Sequence, residues 1–335
     1  MEYDVAFYEV FNEEEQVLRK YLPDRFSYFF TRESIQDDKY SGLPAPVICT
    51  RTQSVIPKSW LESLKGIFTR STGYDHIAKL FSISELSVPA GYLPRYAARA
   101  VAEHNLLVIL MLLRKIDDQR TSMRSFSRDG LTGHELQGKT LTIIGVGNIG
   151  SELAKIGAGL HMNLLGVDIA PQVEMTRKYG VEYVPLKRGI SRADIIACCL
   201  PLTEITEGML DYPTLNAAKD DALFINAARG EIAPPEDLLQ LLEEDHLAGI
   251  GLDVYDEESS LGSFLRGNIE LDDIQSTKAL QSIRASLKLL NHPRVIATPH
   301  NAFNTAESTD RKAKQTAENI VHFLNAGTFI TQIPY

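Results

Sequence analysis

Two groupings of residues in this chain have the types and spacing that chemistry requires. The first is Leu141–Gly150, LTIIGVGNIG, which sets Gly145, Gly147 and Gly150 between an apolar strand-like run and a helix-forming run. In such a turn the first glycine allows the sharp bend, the second lets backbone approach a pyrophosphate, and the third lets helix and strand pack closely. Backbone N–H groups at the helix start then face the phosphate charge. Asp168 ends a second strand-like run, Asn163–Val167, 18 residues past Gly150. A carboxylate there accepts from both ribose hydroxyls of NAD and repels the 2′-phosphate of NADP. A glycine turn followed by an unrelated surface aspartate is the plainer reading, and the strand and helix in register around the turn weigh against it.

The second grouping is Arg229, Glu258 and His300, each placed shortly after a different apolar run: Ala222–Asn226, Ile250–Val254 and Val295–Thr298. A guanidinium just past a strand end can clamp a carboxylate through two parallel N–H bonds. Taken singly, each residue has a simpler reading. Arg229 suits a surface position or a loop whose carbonyls need donors, Glu258 belongs with Asp256 and Glu257 to a solvated acidic run, and His300 suits packing or a cap. Three such residues after three separate strands are much harder to attribute to chance.

The elements that must position them repeat strand then helix. Thr140–Ile144, Asn163–Val167, Val181–Val184, Ile195–Cys199, Ala222–Asn226, Ile250–Val254 and Val295–Thr298 predict a mostly parallel sheet covered on both faces, with ligands at its carboxyl edge. An earlier block holds strand-like pieces at Asp4–Tyr8, Ser27–Phe30, Val47–Thr50, Gly66–Arg70 and Ile83–Val88, separated by short amphipathic helices. Ala97–Lys115 reads as a long helix suited to a domain junction or subunit contact, and Asp117–Gly138 as a polar loop or arm. A final helix, Thr305–Asn325, has a tail that can pack back on the first block. The expected organisation is a discontinuous domain, 1–100 with 304–335, and a dinucleotide-binding domain, 101–303. Glu257–Asn291 is long for a strand connection and ends in an amphipathic helix, Thr277–Leu290, a length that marks a functional or family-specific addition.

The chain has 335 residues, enough for about two domains with apolar cores, and a net charge of −10. With no basic block, it is not expected to bind nucleic acid or an anionic membrane, so an anionic ligand must be held by a few local cations and N–H groups. The acidic N-terminal stretch and the short longest apolar run, Leu106–Leu113, lead to the expectation of a cytoplasmic protein. Cys49, Cys198 and Cys199 have no metal-ligand spacing and read as reduced thiols, with packing a better account than redox chemistry. No metal is expected.

GVGNIG with Asp168, PLT at Pro201–Thr203, NAARGE at Asn226–Glu231, LDVYDEE at Leu252–Glu258 and TPHNAF at Thr298–Phe303 follow one another in an order that resembles the D-isomer-specific 2-hydroxyacid dehydrogenases. RSTGYDHI at Arg70–Ile77 and AVAEH at Ala100–His104 extend the resemblance to nearly the whole chain. The resemblance implies two Rossmann-like domains, one doubly wound and dinucleotide-binding, the other flavodoxin-like and substrate-binding, with a cleft between them. It implies NADH-dependent, reversible reduction of a 2-keto acid to a D-2-hydroxy acid. His300 corresponds to the acid and base, Glu258 to the carboxylate that stabilises its protonated ring, and Arg229 to the residue that holds the substrate carboxylate and polarises its carbonyl. Substrate contacts are implied for Arg70, Thr72, Gly73 and Tyr92. Cofactor contacts are implied for Gly145, Gly147, Asn148, Ile149, Gly150, Asp168, Pro201, Thr206, Ala227 and Asp253. Asp253 has a second reading, as support for the Glu258 loop. A homodimer is the expected assembly.

Several positions depart from the family pattern. Ser259 follows Glu258 where proline is common, and the long segment after it resembles the D-lactate dehydrogenase branch. Asn304 stands where an aromatic residue is common, and Cys199 where histidine is. Tyr92 and Arg95 lie in a segment slightly longer than usual and suit either the mouth of the cleft or hinge packing. Two rival functions remain: a dehydrogenase of another small anion, and an NAD-gated binding protein like the corepressors that resemble this family.

Overall fold

The computed structural model describes residues 2–38, 42–84 and 86–334. The chain divides into two compact units, Met1–Ala97 with Asn304–Tyr335, and Ala98–Phe303.

In the first unit, β1 (Val5–Phe7), β2 (Tyr28–Phe30), β3 (Val47–Thr50), β4 (Gly66–Thr69) and β5 (Ala90–Gly91) form a parallel sheet in the order β2-β1-β3-β4-β5. This is the flavodoxin-like order, which reverses between β1 and β3 and places ligands at the carboxyl edge. β1, β3 and β4 are buried throughout, which explains their mostly apolar character. The strand expected at Ile83–Val88 does not form there, with Glu85 outside the described residues. Ile83 and Leu86 are exposed, and pairing begins beyond Pro89, whose carbonyl accepts from the Ile67 N–H at 3.0 Å. The helix Ala306–Ala326 starts at Thr305, whose side chain accepts from the Ser308 N–H, and ends at Gly327 in the left-handed region. It packs on the helix Asn12–Tyr21, where the Tyr21 hydroxyl donates to Asp310 at 2.8 Å.

In the second unit, β6 (Thr140–Ile144), β7 (Asn163–Val167), β8 (Glu182–Tyr183), β9 (Ile195–Cys198), β10 (Ala222–Asn226), β11 (Leu247–Leu252) and β12 (Val295–Ala297) form a parallel sheet in the order β12-β11-β10-β9-β6-β7-β8. The order reverses between β6 and β9, the switch point of a doubly wound dinucleotide fold. Helix Ala98–Leu113 lies on this sheet so closely that a Cβ on Gly251 would collide with Val108. The Asp117–Gly138 stretch, expected as a polar loop or arm, begins inside the helix Ile116–Ser122. The long segment after β11 is two helices, Glu258–Leu265 and Thr277–Leu290. The second is capped by Ser276 and buries Ile283 and Leu289. Among the described residues no helix is long and apolar enough to cross a membrane.

Register decides where the site can be. Val167, Ile144, Cys198, Asn226, Leu252 and Ala297 stand opposite one another across six neighbouring strands. The chain therefore leaves the sheet at one level through Asp168, Gly145, Cys199, Ala227, Asp253 and Thr298.

Candidate active site

The glycine turn shows three different constraints. Gly145 has φ +92, and a Cβ on it would stand 2.8 Å from the Cys199 carbonyl oxygen. A Cβ on Gly150 would collide with the Gly145 oxygen, so the helix Asn148–Gly159 can approach β6 only with glycine there. At Gly147 a Cβ would meet nothing within 4 Å, which leaves open space beside the helix N-terminus. Asp168 lies across the turn: Oδ2 accepts from the Val146 N–H at 2.7 Å and Oδ1 from the Ala170 N–H at 2.8 Å. Each oxygen keeps acceptor capacity for a ribose hydroxyl. On the next loop the Thr206 hydroxyl donates to the Pro201 carbonyl at 2.7 Å and accepts from the Thr203 N–H at 2.8 Å. Thr206 thus fixes the loop from within, while Pro201 is exposed and Ala227 half-buried at adjacent strand ends. Open space at Gly147, a fixed carboxylate and a helix N-terminus together fit a dinucleotide, with Asn148 and Ile149 opening that helix.

The loop after β12 carries His300. Its ring Nδ1 lies 2.8 Å from each oxygen of Glu258, and both side chains are 24% exposed. Two left-handed backbone positions aim the pair, φ 53 at Glu257, just before the helix that Glu258 starts, and φ 50 at His300 itself. Such conformations persist for residues other than glycine only where the surroundings hold them. Asp253 supplies the hold. Only 2% exposed, it accepts from the Thr298 hydroxyl at 2.6 Å and from the Asn301 and Ala302 N–H groups at 2.8 Å each. Both its oxygens serve the His300 loop, which favours the supporting reading of Asp253 over a cofactor contact. The Tyr255 hydroxyl donates to the Thr298 carbonyl at 2.9 Å, and burial, then the nearby Asp253 and Glu258 charges, push this phenol up and keep it protonated.

Arg229 sits on the neighbouring strand end. The Asn226 side chain donates to the Arg229 carbonyl at 2.9 Å and accepts from the Ala228 N–H at 3.0 Å, fixing the loop backbone. The Arg229 Nη1 donates to the Ala228 carbonyl at 2.8 Å. Gly230 runs against the Tyr255 backbone, where a Cβ would collide. Arg229 and the Glu258–His300 pair are thereby set on adjacent rigid loops.

In the first unit, Thr72 and Gly73 lie half-buried beyond β4, on a loop closed by a 2.6 Å hydrogen bond from the Ser71 hydroxyl to the Gly73 carbonyl. The rings of Tyr92 and Tyr74 meet edge to face at 4.9 Å. Arg70 corrects the expectation that it contacts substrate. Its side chain is wholly buried, with its nitrogens bonded to Glu14 and to the carbonyls of Tyr8, Glu9 and Cys49.

Sequence reading passed over His104 as a working part. Its Nε2 lies 3.0 Å from the Thr298 hydroxyl oxygen, and burial lowers its pKa against the attraction of Asp253. Its helical setting in AVAEH gave no sign of this partner 194 positions away. The cysteines are free; burial pushes Cys198 up to about 12 and raises Cys49 and Cys199 as well, which leaves them inert thiols.

Residues 106–302 match the model of the D-isomer specific 2-hydroxyacid dehydrogenase NAD binding domain. The chain is 31% identical over 301 residues to 2-hydroxyacid dehydrogenase homolog 1 of Schizosaccharomyces pombe, covering 87% of each protein. It is 32% identical over 272 residues to the aromatic 2-oxoacid reductase of Clostridium sporogenes, covering 79% of this chain and 77% of that one. The structure of D-lactate dehydrogenase from Aquifex aeolicus, complexed with NAD and lactic acid, superposes with a TM-score of 0.84 at 26% identity, over 99% of this chain and 100% of that one. The chain belongs to the D-isomer-specific 2-hydroxyacid dehydrogenase family and is an NAD-dependent oxidoreductase.

Proposed function

We propose that His300 is the general acid and base in the reversible reduction of a 2-keto acid to a D-2-hydroxy acid. The observation that carries this is the approach of His300 Nδ1 to both oxygens of Glu258 at 2.8 Å. With Nδ1–H given to the carboxylate, Nε2 is the nitrogen that holds the transferable proton, and Glu258 stabilises the ring while it is charged. Arg229 grips the substrate carboxylate and draws charge from the carbonyl oxygen that His300 protonates. In the first unit, the Thr72 and Gly73 backbone N–H groups are suited to gripping a carboxylate. NADH, when bound, supplies the hydride, and Gly145, Gly147, Asn148, Ile149, Gly150, Asp168, Pro201 and Ala227 are the residues that would hold it.

The Tyr74–Tyr92 pair beside the Thr72–Gly73 loop favours a keto acid with an apolar side chain over one with a second charge. Free cysteines support a cytoplasmic setting, and exposed Leu107, Leu110, Met123 and Phe126 on the long helix and arm support a homodimer.

NADH oxidation with pyruvate, glyoxylate, hydroxypyruvate, 2-ketoisocaproate and phenylpyruvate, with product chirality determined, tests the reading. The expected product is the D-isomer, and His300→Gln is expected to cut kcat at least ~100-fold while NADH binding survives. An L-product, no turnover on any of the five, or loss of NADH binding in the variant would overturn it.

A further inference from the structure

The first unit buries an ionic cluster that the proposed reaction does not use. Glu14 from the helix Asn12–Tyr21, Arg70 from the end of β4 and Lys312 from the helix Ala306–Ala326 are each 0% exposed. Glu14 Oε1 accepts from Arg70 Nε at 3.0 Å and pairs with Lys312 Nζ at 2.6 Å. Arg70 gives Nη1 to the Cys49 carbonyl at 2.9 Å and Nη2 to the Tyr8 carbonyl at 2.8 Å, so one guanidinium ties together the carboxyl ends of β1, β3 and β4. The rings of Phe11 and Tyr96 lie 5.6 and 5.9 Å from Lys312 Nζ. Among the described residues, the other charged or titratable groups acting on the cluster include Arg51, Glu9 and the buried Cys49 thiol, with the Tyr96 phenol also nearby.

Glu14 and Arg70 already balance one another, so Lys312 adds a whole buried charge. Burying a cation is costly, and a plain apolar side chain would fill the place without that cost. The surplus charge lies beside Arg70, from which Ser71, Thr72 and Gly73 follow directly. A positive charge beside the residue from which that loop starts attracts an anion bound to the loop, in a chain whose net charge is −10.

We propose that Lys312 is a positioning residue for substrate binding, its charge relayed through Glu14 and the Arg70 fork to the Ser71–Gly73 loop that meets the substrate carboxylate. The proposal rests on the reading of Thr72 and Gly73 as that grip. When Lys312 is charged, Glu14 is shared between two cations and the cluster is positive. When it is neutral, Glu14 returns to Arg70 alone and the attraction falls. Burial lowers Lys312 to about 7, with the Arg51 and Arg70 charges acting in the same sense against the pull of Glu14, so the change falls near neutral pH. The affinity for an anionic substrate then varies with pH separately from proton transfer at His300.

The test compares wild type, Lys312→Arg and Lys312→Met from pH 5.5 to 9, reading KM and kcat with pyruvate and phenylpyruvate, and oxamate affinity for the NADH complex by calorimetry. Arginine stays charged throughout and methionine never is. The wild-type KM is expected to match the arginine variant at low pH and to rise about 3- to 10-fold towards the methionine variant at high pH, while all three share one kcat profile. Oxamate affinity is expected to follow the same order. Superimposable wild-type and Lys312→Met profiles would overturn the inference, as would a wild-type profile retained in Lys312→Arg, which decides the matter should the methionine variant fail to fold. Absence of turnover in all three would defeat the catalytic reading alone, because oxamate binding still tests Lys312.

Discussion

Each unit places carboxylates beneath the carboxyl edge of its sheet, and the two units satisfy them in opposite ways. Asp253 is met by neutral donors, a threonine hydroxyl and two backbone N–H groups, which fix a loop without adding charge. Glu14 is met by two full cations and fixes strand ends through charge. The Asp253 arrangement serves a partly exposed imidazole that must exchange protons; its three hydrogen-bond donors are neutral, and burial lowers the pKa of His104, 3.8 Å away, and so favours its uncharged form as well. The Glu14 arrangement is closed to solvent, where charges interact strongly and a change of one proton is felt by its neighbours. The first is suited to aim and the second to response.

Removing Glu14 breaks this contrast most severely. Glu14→Ala leaves Arg70 and Lys312 buried beside one another, and the expected loss of stability is about 3–5 kcal/mol, read by urea unfolding. A loss below about 1 kcal/mol, the scale of an exposed pair, would show that the cluster relaxes into contact with water.

Asp253→Asn sharpens the other side. The carboxamide keeps one acceptor oxygen and turns an NH2 towards an N–H that now lacks an acceptor, at Asn301 or Ala302. The loop that holds His300 at φ 50 loses a restraint, and small displacements of an acid–base group are costly. The expected result is a fall in kcat of about tenfold with KM little changed. Unchanged kcat would mean that Tyr255 and Thr298 hold the loop by themselves.

The sequence revealed the second unit far better than the first. Its central strands are mostly apolar because both faces are covered, and its site residues follow the strand ends closely, so Gly145, Asp168, Arg229 and His300 stand out in the sequence. In the first unit, Ile83–Val88 had strand-like composition, yet the sheet takes up Ala90–Gly91 beyond Pro89, because only tertiary packing selects which segment pairs. Arg70 was misread for a related reason. An arginine beside a glycine loop looks like a ligand grip, and nothing local shows that Glu14, 56 positions earlier, draws it into the core. Lys312 was hidden more completely, since a lysine in a polar helix reads as solvated until Glu14 and Phe11 are seen packed against it.

The smallest effect distinguishes the two carboxylate settings by their response to pH. Lys312 is depressed to about 7 from an ordinary 10.5, so between these values the unfolded chain binds more protons than the folded one, and this group makes stability rise with pH. Glu14 acts in a different window. Burial pushes it up, but Arg70, then Lys312 and Arg51, outweigh burial and hold it at about 2 against an ordinary 4.5; its contribution is complete above 4.5 and is lost as pH falls towards 2. At pH 7.5–8.5 the lysine changes its balance between states while Glu14 does not, and because the buried thiols act alike in both proteins, urea unfolding of wild type is expected to gain up to about 1 kcal/mol per pH unit relative to Lys312→Met. Parallel curves would mean that Lys312 keeps its proton when folded, and the cluster would then be a fixed charge with no response near neutrality.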